Sequence, residues 1–323
     1  MKVLIILTGG TIQSTELNGY LSPSGTTALA DMYMKKYGNT VCFDTLSPFT
    51  ILSENVDCSH YPKLVKIVSE ALHKNYDGII MTHGSDTLQY CASVLSYTLG
   101  NMRIPLMLVA SNYILSDARA NGFDNFCAAV DFIKNQYGAG VYVPYRNSDG
   151  KCYIHRGNLT MPHNMYSDDI LSLSDMFYGK YEDGKWEFND FFHIENEDKH
   201  YMIADSCPEE SQVLWISAHP GENYSFSLDG IKSVLISSYH SGTMCTSSKR
   251  LKSFAAKAAE RGIPIYLVGN ENVLQYDSCR EYEKLGIHVL RKASPIAMYI
   301  RLWLENTGNS HFDIEEAVAG DYL

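Results

Sequence analysis

Short, largely apolar runs alternate with longer segments of helical period along the first half of this chain. The runs at 2–7, 78–81, 106–110 and 140–144 are too short for helices and carry no polar face. A strand that is apolar on both sides must be covered on both sides, which is the habit of parallel strands. Between them, 61–72 places Leu64, Val65, Val68, Ala71 and Leu72 on one helical stripe. Residues 121–134 do the same with Phe123, Phe126, Ala129, Val130 and Ile133, and 88–99 reads as a helix stopped by Gly100. This β-α-β-α order predicts a parallel sheet with helices on both faces. A second alternation follows: strand 233–237, helix 247–261, strand 265–268, helix 278–285 and a closing helix over 293–304. Between the two, periodicity fades and acidic and aromatic residues crowd 178–200. The reading is therefore α/β in two parts. A larger N-terminal parallel-sheet domain spans 1–204, with 163–204 irregular and acting as linker, and a smaller C-terminal α/β domain spans 205–323.

Charge narrows the partners. There are 37 acidic residues against 26 basic ones, a formal net charge of -11. A nucleic-acid backbone needs a basic face, so no nucleic-acid partner is expected. Lys249, Arg250 and Lys252 form a short basic cluster that reads as a solvated helix face. No apolar stretch approaches the ~20 residues of a membrane helix, and 3–7 is too short for a signal-peptide core. The eight cysteines are scattered, with no Cys-x-x-Cys pair. That pattern suits reduced, packed thiols in a cytoplasmic protein. The histidines show no ligand-like spacing, and neither metal nor cofactor is expected.

Two loops leave strand ends with unusual chemistry. In open α/β sheets ligands bind beyond the carboxyl ends of the strands. Thr8-Gly9-Gly10-Thr11-Ile12 combines paired glycines, which permit close backbone approach, with a hydroxyl. Such a turn can aim amides at an oxyanion and present Thr11 as a nucleophile. It reads equally as an ordinary glycine-rich turn, and it lacks the phosphate-loop and dinucleotide-binding patterns. Thr82-His83-Gly84-Ser85-Asp86-Thr87 precedes a helix, and by itself it is more simply a cap made by Asp86 or Thr87. Together the two loops point to one pocket, because neighbouring strand ends converge.

The ordered pair of motifs resembles the two signatures of the L-asparaginases and their glutaminase-asparaginase relatives, of the bacterial cytoplasmic type-I kind. The likeness extends more thinly to Gly157-Asn158 and to the 239–243 loop, Tyr-His-Ser-Gly-Thr. It implies hydrolysis of the side-chain amide of asparagine, or of a related amino acid amide, to the acid and ammonia. Thr11 matches the family's nucleophile. Tyr20 matches the lid tyrosine that helps activate it, with the lid over 12–25 and Gly19, Pro23 and Gly25 as hinge or turn positions. Ser53 and Glu54 match the pair that grips the substrate's α-carboxylate and α-amine. Ser85 falls at the second catalytic threonine, and Asp86 matches the aspartate that binds the amine. Outside the resemblance Tyr20 is one of 23 tyrosines, Ser53 reads as a turn residue, Glu54 as solvated and His83 as packing.

The chain departs from the pattern in three places. Ser85 keeps the hydroxyl of threonine but loses the methyl that restricts χ1, so its positioning is expected to loosen. Glu54 stands where asparaginases often carry glutamine, which implies a broader or altered preference. The family's lysine, shortly after Gly157-Asn158, is replaced by Pro162, with Met161 the alternative alignment and His163 or Arg156 the nearby bases. A catalytically weak or inactive amino-acid-binding relative is therefore the second expectation. The related amidotransferase component that acts on tRNA is a third; an extra N-terminal domain usually marks it, whereas this chain opens at its first strand, and the acidic charge also speaks against it. The resemblance further implies a homodimer or homotetramer, with the 239–243 loop as the second domain's contribution to a neighbour's site.

Overall fold

In the computed structural model, residues 1–23, 28–100, 102–193, 199–270, 276–308 and 310–323 are described; Gly25, one of the expected hinges, lies outside them. The apolar runs are strands. In chain order the first unit contains β1 (Lys2–Leu7), β2 (Ser14–Leu17), β3 (Tyr20–Pro23), α1 (Leu29–Tyr37), β4 (Cys42–Leu46), α2 (His60–Leu72) and β5 (Gly78–Thr82). It continues through α3 (Leu88–Thr98), β6 (Pro105–Val109), α4 (Gly122–Asn135), β7 (Gly140–Arg146), β8 (Cys152–Arg156), β9 (Gly179–Glu182) and β10 (Lys185–Phe188). Eight of these strands form one sheet, in the order β10-β9-β8-β7-β6-β5-β1-β4. The stretch β4-β1-β5-β6-β7 is parallel, and β7 through β10 are antiparallel.

Alternation along the central strands divides their side chains between two cores. Leu4, Ile6, Ile79, Met81, Leu106 and Leu108 pack with α2 and α3 on one face. Val3, Ile5, Leu7, Ile80, Met107 and Val109 pack with α1 and α4 on the other. Most of these are fully buried, each contributing roughly 1.5–3 kcal/mol. Double coverage explains why the strands read as unbroken apolar runs.

Residues 163–204 are not irregular throughout. The β9–β10 hairpin lies within them and extends the large sheet. Its two-residue turn, Asp183-Gly184, has φ of 50 and 79°, the left-handed pair that a tight hairpin requires. The aromatics that looked like a loss of periodicity are strand side chains. Trp186 stacks on Phe188 and meets Phe132 edge-on.

The remaining elements are β11 (Val213–Ser217), β12 (Ser233–Ser237), α5 (Lys249–Glu260), β13 (Ile265–Val268), α6 (Arg280–Lys284), β14 (Ile287–Val289) and α7 (Pro295–Thr307). The four strands form a second, parallel sheet in the order β11-β12-β13-β14. Leu251, Phe254 and Ala258 of α5 cover one face. On the other side α7 packs against both β11 and β12 and against α3. The chain then turns back into the first core. Asp321 is fully buried, 2.8 Å from the equally buried Arg301, and accepts a hydrogen bond from Tyr97 at 2.9 Å. Asn158 donates to the Ala319 carbonyl at 3.0 Å. All eight cysteines are free thiols, and among the described residues no helix is long and apolar enough to cross a membrane.

Candidate functional site

β1 and β5 are hydrogen-bonded neighbours, with Leu7 opposite Thr82. Their following turns therefore start side by side. The Thr8 hydroxyl donates to the Thr82 carbonyl at 2.7 Å, and the Thr82 hydroxyl donates to Gln13 Oε1 at 2.7 Å. The Gly9 amide donates to the same Gln13 oxygen at 2.7 Å. A third loop, after β4, joins through a bridge between Gly9 and Ile51. The Gly10 amide donates to the Ile51 carbonyl, and the Ile51 amide to the Thr8 carbonyl.

The glycines are required by this convergence. Gly10 has φ 80 and ψ 175°. A Cβ there would lie 2.4 Å from the Gly84 amide nitrogen and 2.5 Å from its Cα. A Cβ on Gly84 would lie 2.3 Å from the Ser53 hydroxyl. The three loops thus touch through backbone and through one serine. Thr11 follows the first of these glycines and Ser85 the second. Thr11 is half-buried at the start of a single 3-10 turn, Thr11–Gln13.

The structure brings Ser53, Ser85 and Asp86 together next to the Thr11 turn. Buried Ser53 donates to Asp86 Oδ2 at 3.2 Å. Thr87 Oγ1 donates to the Ser53 carbonyl at 2.9 Å and makes no side-chain cap on α3. The capping alternative for the second motif is therefore replaced by a link between loops. Glu54 sits in the same short turn as Ser53 but faces solvent. Tyr20 stands on β3 with 80% of its surface exposed, outside this cluster. It follows the tight turn Asn18-Gly19, with φ of 54 and 81°, that joins β2 to β3.

A cavity of about 430 Å³ opens beside Ser85 and Asp86, walled by Asn112, Tyr145, Pro162, His163 and Asp168. Pro162, at the position matched to the missing lysine, is part of the wall and carries no proton acceptor. His163 shares the wall. Arg156 does not: it lines a different depression with Arg103 and Gly140 and donates to the Ala139 carbonyl at 3.1 Å. His83 is buried, its Nδ1–H bonded to the Gly84 carbonyl at 2.9 Å, and burial lowers its pKa. It packs and orients the turn. The 239–243 loop is closed by Tyr239 and Gly242 backbone bonds and lies in a separate depression with Met161 and Asn270. Wider depressions of about 660 and 700 Å³ lie against α5 and near the start of β7. Neither is at the carboxyl end of a parallel strand, so size does not select the site. No cluster of three or more metal-ligating side chains occurs among the described residues.

Sequence reasoning missed Asn112, Tyr145 and Asp168. Asn112 carries the one available signal, since it closely follows the third apolar run. Tyr145 and Asp168 arrive from β7 and from the loop after β8, which are separated from the motifs by more than fifty residues.

Comparison with known proteins agrees with the geometry. Residues 2–189 match the family model described as asparaginase, N-terminal. The chain is 27% identical over 285 residues to a glutamyl-tRNA(Gln) amidotransferase component of Pyrococcus furiosus, covering 83% of this chain and 63% of that one. Against the same component of the Methanobrevibacter smithii amidotransferase it is 25% identical over 345 residues, with 99% and 77% covered. The chain thus spans less than two-thirds of the first of these relatives. The solved L-asparaginase of Thermococcus kodakarensis superposes with a TM-score of 0.78 at 20% identity, covering 100% and 99% of the two chains. L-asparaginase I of Vibrio cholerae gives 0.78 at 18% identity with the same coverage. The probable cytoplasmic L-asparaginase of Campylobacter jejuni gives 0.72 at 19%, with 95% of each chain covered. At these identities the solved structures establish a shared fold.

Proposed function

The chain belongs to the asparaginase family, and we propose that it is an amidohydrolase releasing ammonia from the side-chain amide of asparagine or a related amino acid amide. The observation that carries this reading is the packing of Gly10 on Gly84, with Ser53 bonded to Asp86 beside it. A free amino acid amide is zwitterionic. It needs a carboxylate for its amine and N–H or O–H donors for its carboxylate. Asp86 and Glu54 serve the amine, and Ser53 with backbone amides serves the carboxylate. Thr11 Oγ attacks the amide carbon, the C–N bond breaks, and the hydroxyl proton leaves with ammonia. Water then cleaves the Thr11 ester, aided by Ser85. The β2–β3 hairpin is the lid, and its closure brings Tyr20 to Thr11 and excludes bulk water. Residues 1–204 form the catalytic domain and 205–323 the smaller one, in a cytoplasmic homodimer or homotetramer.

The test is ammonia release from asparagine and from glutamine, with Thr11→Ala as control. Release that disappears in Thr11→Ala supports the reading. Wild-type release no greater than the control refutes it. A second reading, a weak or inactive amino-acid-binding relative, is favoured by Pro162 in the cavity wall. It predicts that aspartate or asparagine still binds without turnover.

A further inference from the structure

The cavity beside Ser85 lacks a lysine but holds an imidazole. His163 Nδ1 lies 3.0 Å from the Asp169 carbonyl oxygen. A carbonyl only accepts, so Nδ1 carries the proton and Nε2 of the neutral ring presents a bare lone pair. That nitrogen is buried and has no hydrogen-bond partner among the described residues. A buried acceptor held by its opposite nitrogen, in the wall of a cavity shared with a hydroxyl, has the layout of a base awaiting a proton.

We propose that His163 is the general base for the Ser85 hydroxyl, taking over the work of the lysine that Pro162 replaces; this rests on the amidohydrolase reading above. When the Thr11 ester is hydrolysed, the attacking water gives its proton to Ser85 Oγ as the Ser85 proton moves to His163 Nε2. The new C–O bond to water forms, the bond to Thr11 Oγ breaks, and the imidazolium returns its proton to Thr11. Atoms and charge balance, and the ring is restored.

Neither Tyr145 nor His155 offers Ser85 a free base at neutral pH. The Tyr145 hydroxyl is pushed up to about 12 by burial and is not ionised near neutrality. His155 is fully buried with its Nδ1 2.7 Å from Ser172 Oγ and does not line the cavity. For His163, burial lowers the pKa, opposed by its bond to the Asp169 carbonyl and by the nearby charges of Asp86, Asp168 and Asp169. His155 is also within electrostatic reach of it. The ring is therefore neutral at pH 7, and the three carboxylates favour the imidazolium that forms in passing.

A sulfonyl fluoride reports an activated serine without requiring turnover. The intact protein is treated with phenylmethanesulfonyl fluoride across pH 5–8, and the modified residue is located by mass spectrometry. Ser85 is expected to react, at a rate that drops with falling pH through a midpoint below the ordinary histidine value, because burial lowers the His163 pKa. His163→Asn keeps a donor for the Asp169 carbonyl and removes Nε2. It should slow Ser85 labelling by at least about tenfold and flatten the pH profile. Thr11→Ala should still be labelled at Ser85. His163→Gln serves as the second variant, and circular dichroism confirms folding. No Ser85 labelling in the wild type, or the same rate and profile in both His163 variants, overturns the proposal. Failure of the amidohydrolase reading is seen separately, as absence of ammonia release.

Discussion

Gly10→Ala tests whether the two motif turns are held by backbone contact. The new methyl would stand 2.4 Å from the Gly84 nitrogen and 2.7 Å from the His83 carbonyl carbon. Both are backbone atoms of a turn fixed by β5, so neither can rotate away. Crowding of this kind costs about 1–3 kcal/mol. The backbone at φ 80, ψ 175° is a conformation reserved to glycine, and any other residue there adds about 1–3 kcal/mol. The expected loss is about 2–6 kcal/mol, a large share of a typical folding free energy of about 5–15 kcal/mol. Gly19→Ala is the internal control. It has φ 81°, but no atom lies within 4 Å of its added Cβ. Only backbone strain remains there, about 1–2 kcal/mol. Urea denaturation followed by circular dichroism gives both values. Equal losses for the two variants would refute the argument, since crowding against Gly84 would then contribute nothing.

Asp321→Ala leaves Arg301 buried without its carboxylate, and should destabilise by about 3–5 kcal/mol; a loss no greater than that of Asp229→Ala, which breaks an exposed pair with Arg261, would count against it. His155 is pushed down to about 3 and His83 is also lowered, both by burial. Unfolding lets them take up protons, so stability present above pH 6.5 declines as the pH falls toward 3. Urea midpoints at pH 7 and 5 should differ, and His155→Gln should remove part of that difference; identical midpoints would contradict the burial of neutral rings. Exposed Cys42 and Cys245 should react promptly with a thiol reagent, whereas Cys91, pushed up to about 12, should need denaturant; rapid modification of Cys91 in the native protein would be the opposite result. Finally, light scattering should find a dimer or tetramer, and a monomer at all concentrations would remove the oligomer from the proposal.

The sequence was most informative where one physical cause dominated. β1, β12 and β13 begin and end as the apolar runs do, because both faces of each are covered. β4 gave no such run: it is the sheet's edge strand, and Asp44 and Thr45 interrupt it. The β2–β3 and β9–β10 hairpins were not read from the sequence, where 12–25 stood as a lid and 163–204 as irregular; Asn18-Gly19 and Asp183-Gly184, pairs with left-handed backbone, are the local signal each carries. The convergence of the Thr11 and Ser85 turns followed from the parallel-sheet rule. His163 could not be placed in advance. The loop carrying it is pinched by the Met161–Leu171 backbone bond and the Thr160–Ser172 bridge, pairings that no local pattern announces.

The return of the chain into its first core has a consequence for biosynthesis. Tyr97 and Asn158 find their partners in Asp321 and Ala319, and α7 covers α3. On a ribosome adding about 5–20 residues per second, α7 and the 317–322 segment follow β6 by roughly 200 residues, or on the order of 10–40 s. During that interval the side of α3 that α7 later packs against has no cover. The nascent chain therefore carries a long-lived apolar surface that a holding chaperone can occupy, and the first core, although its sheet is made early, is closed late.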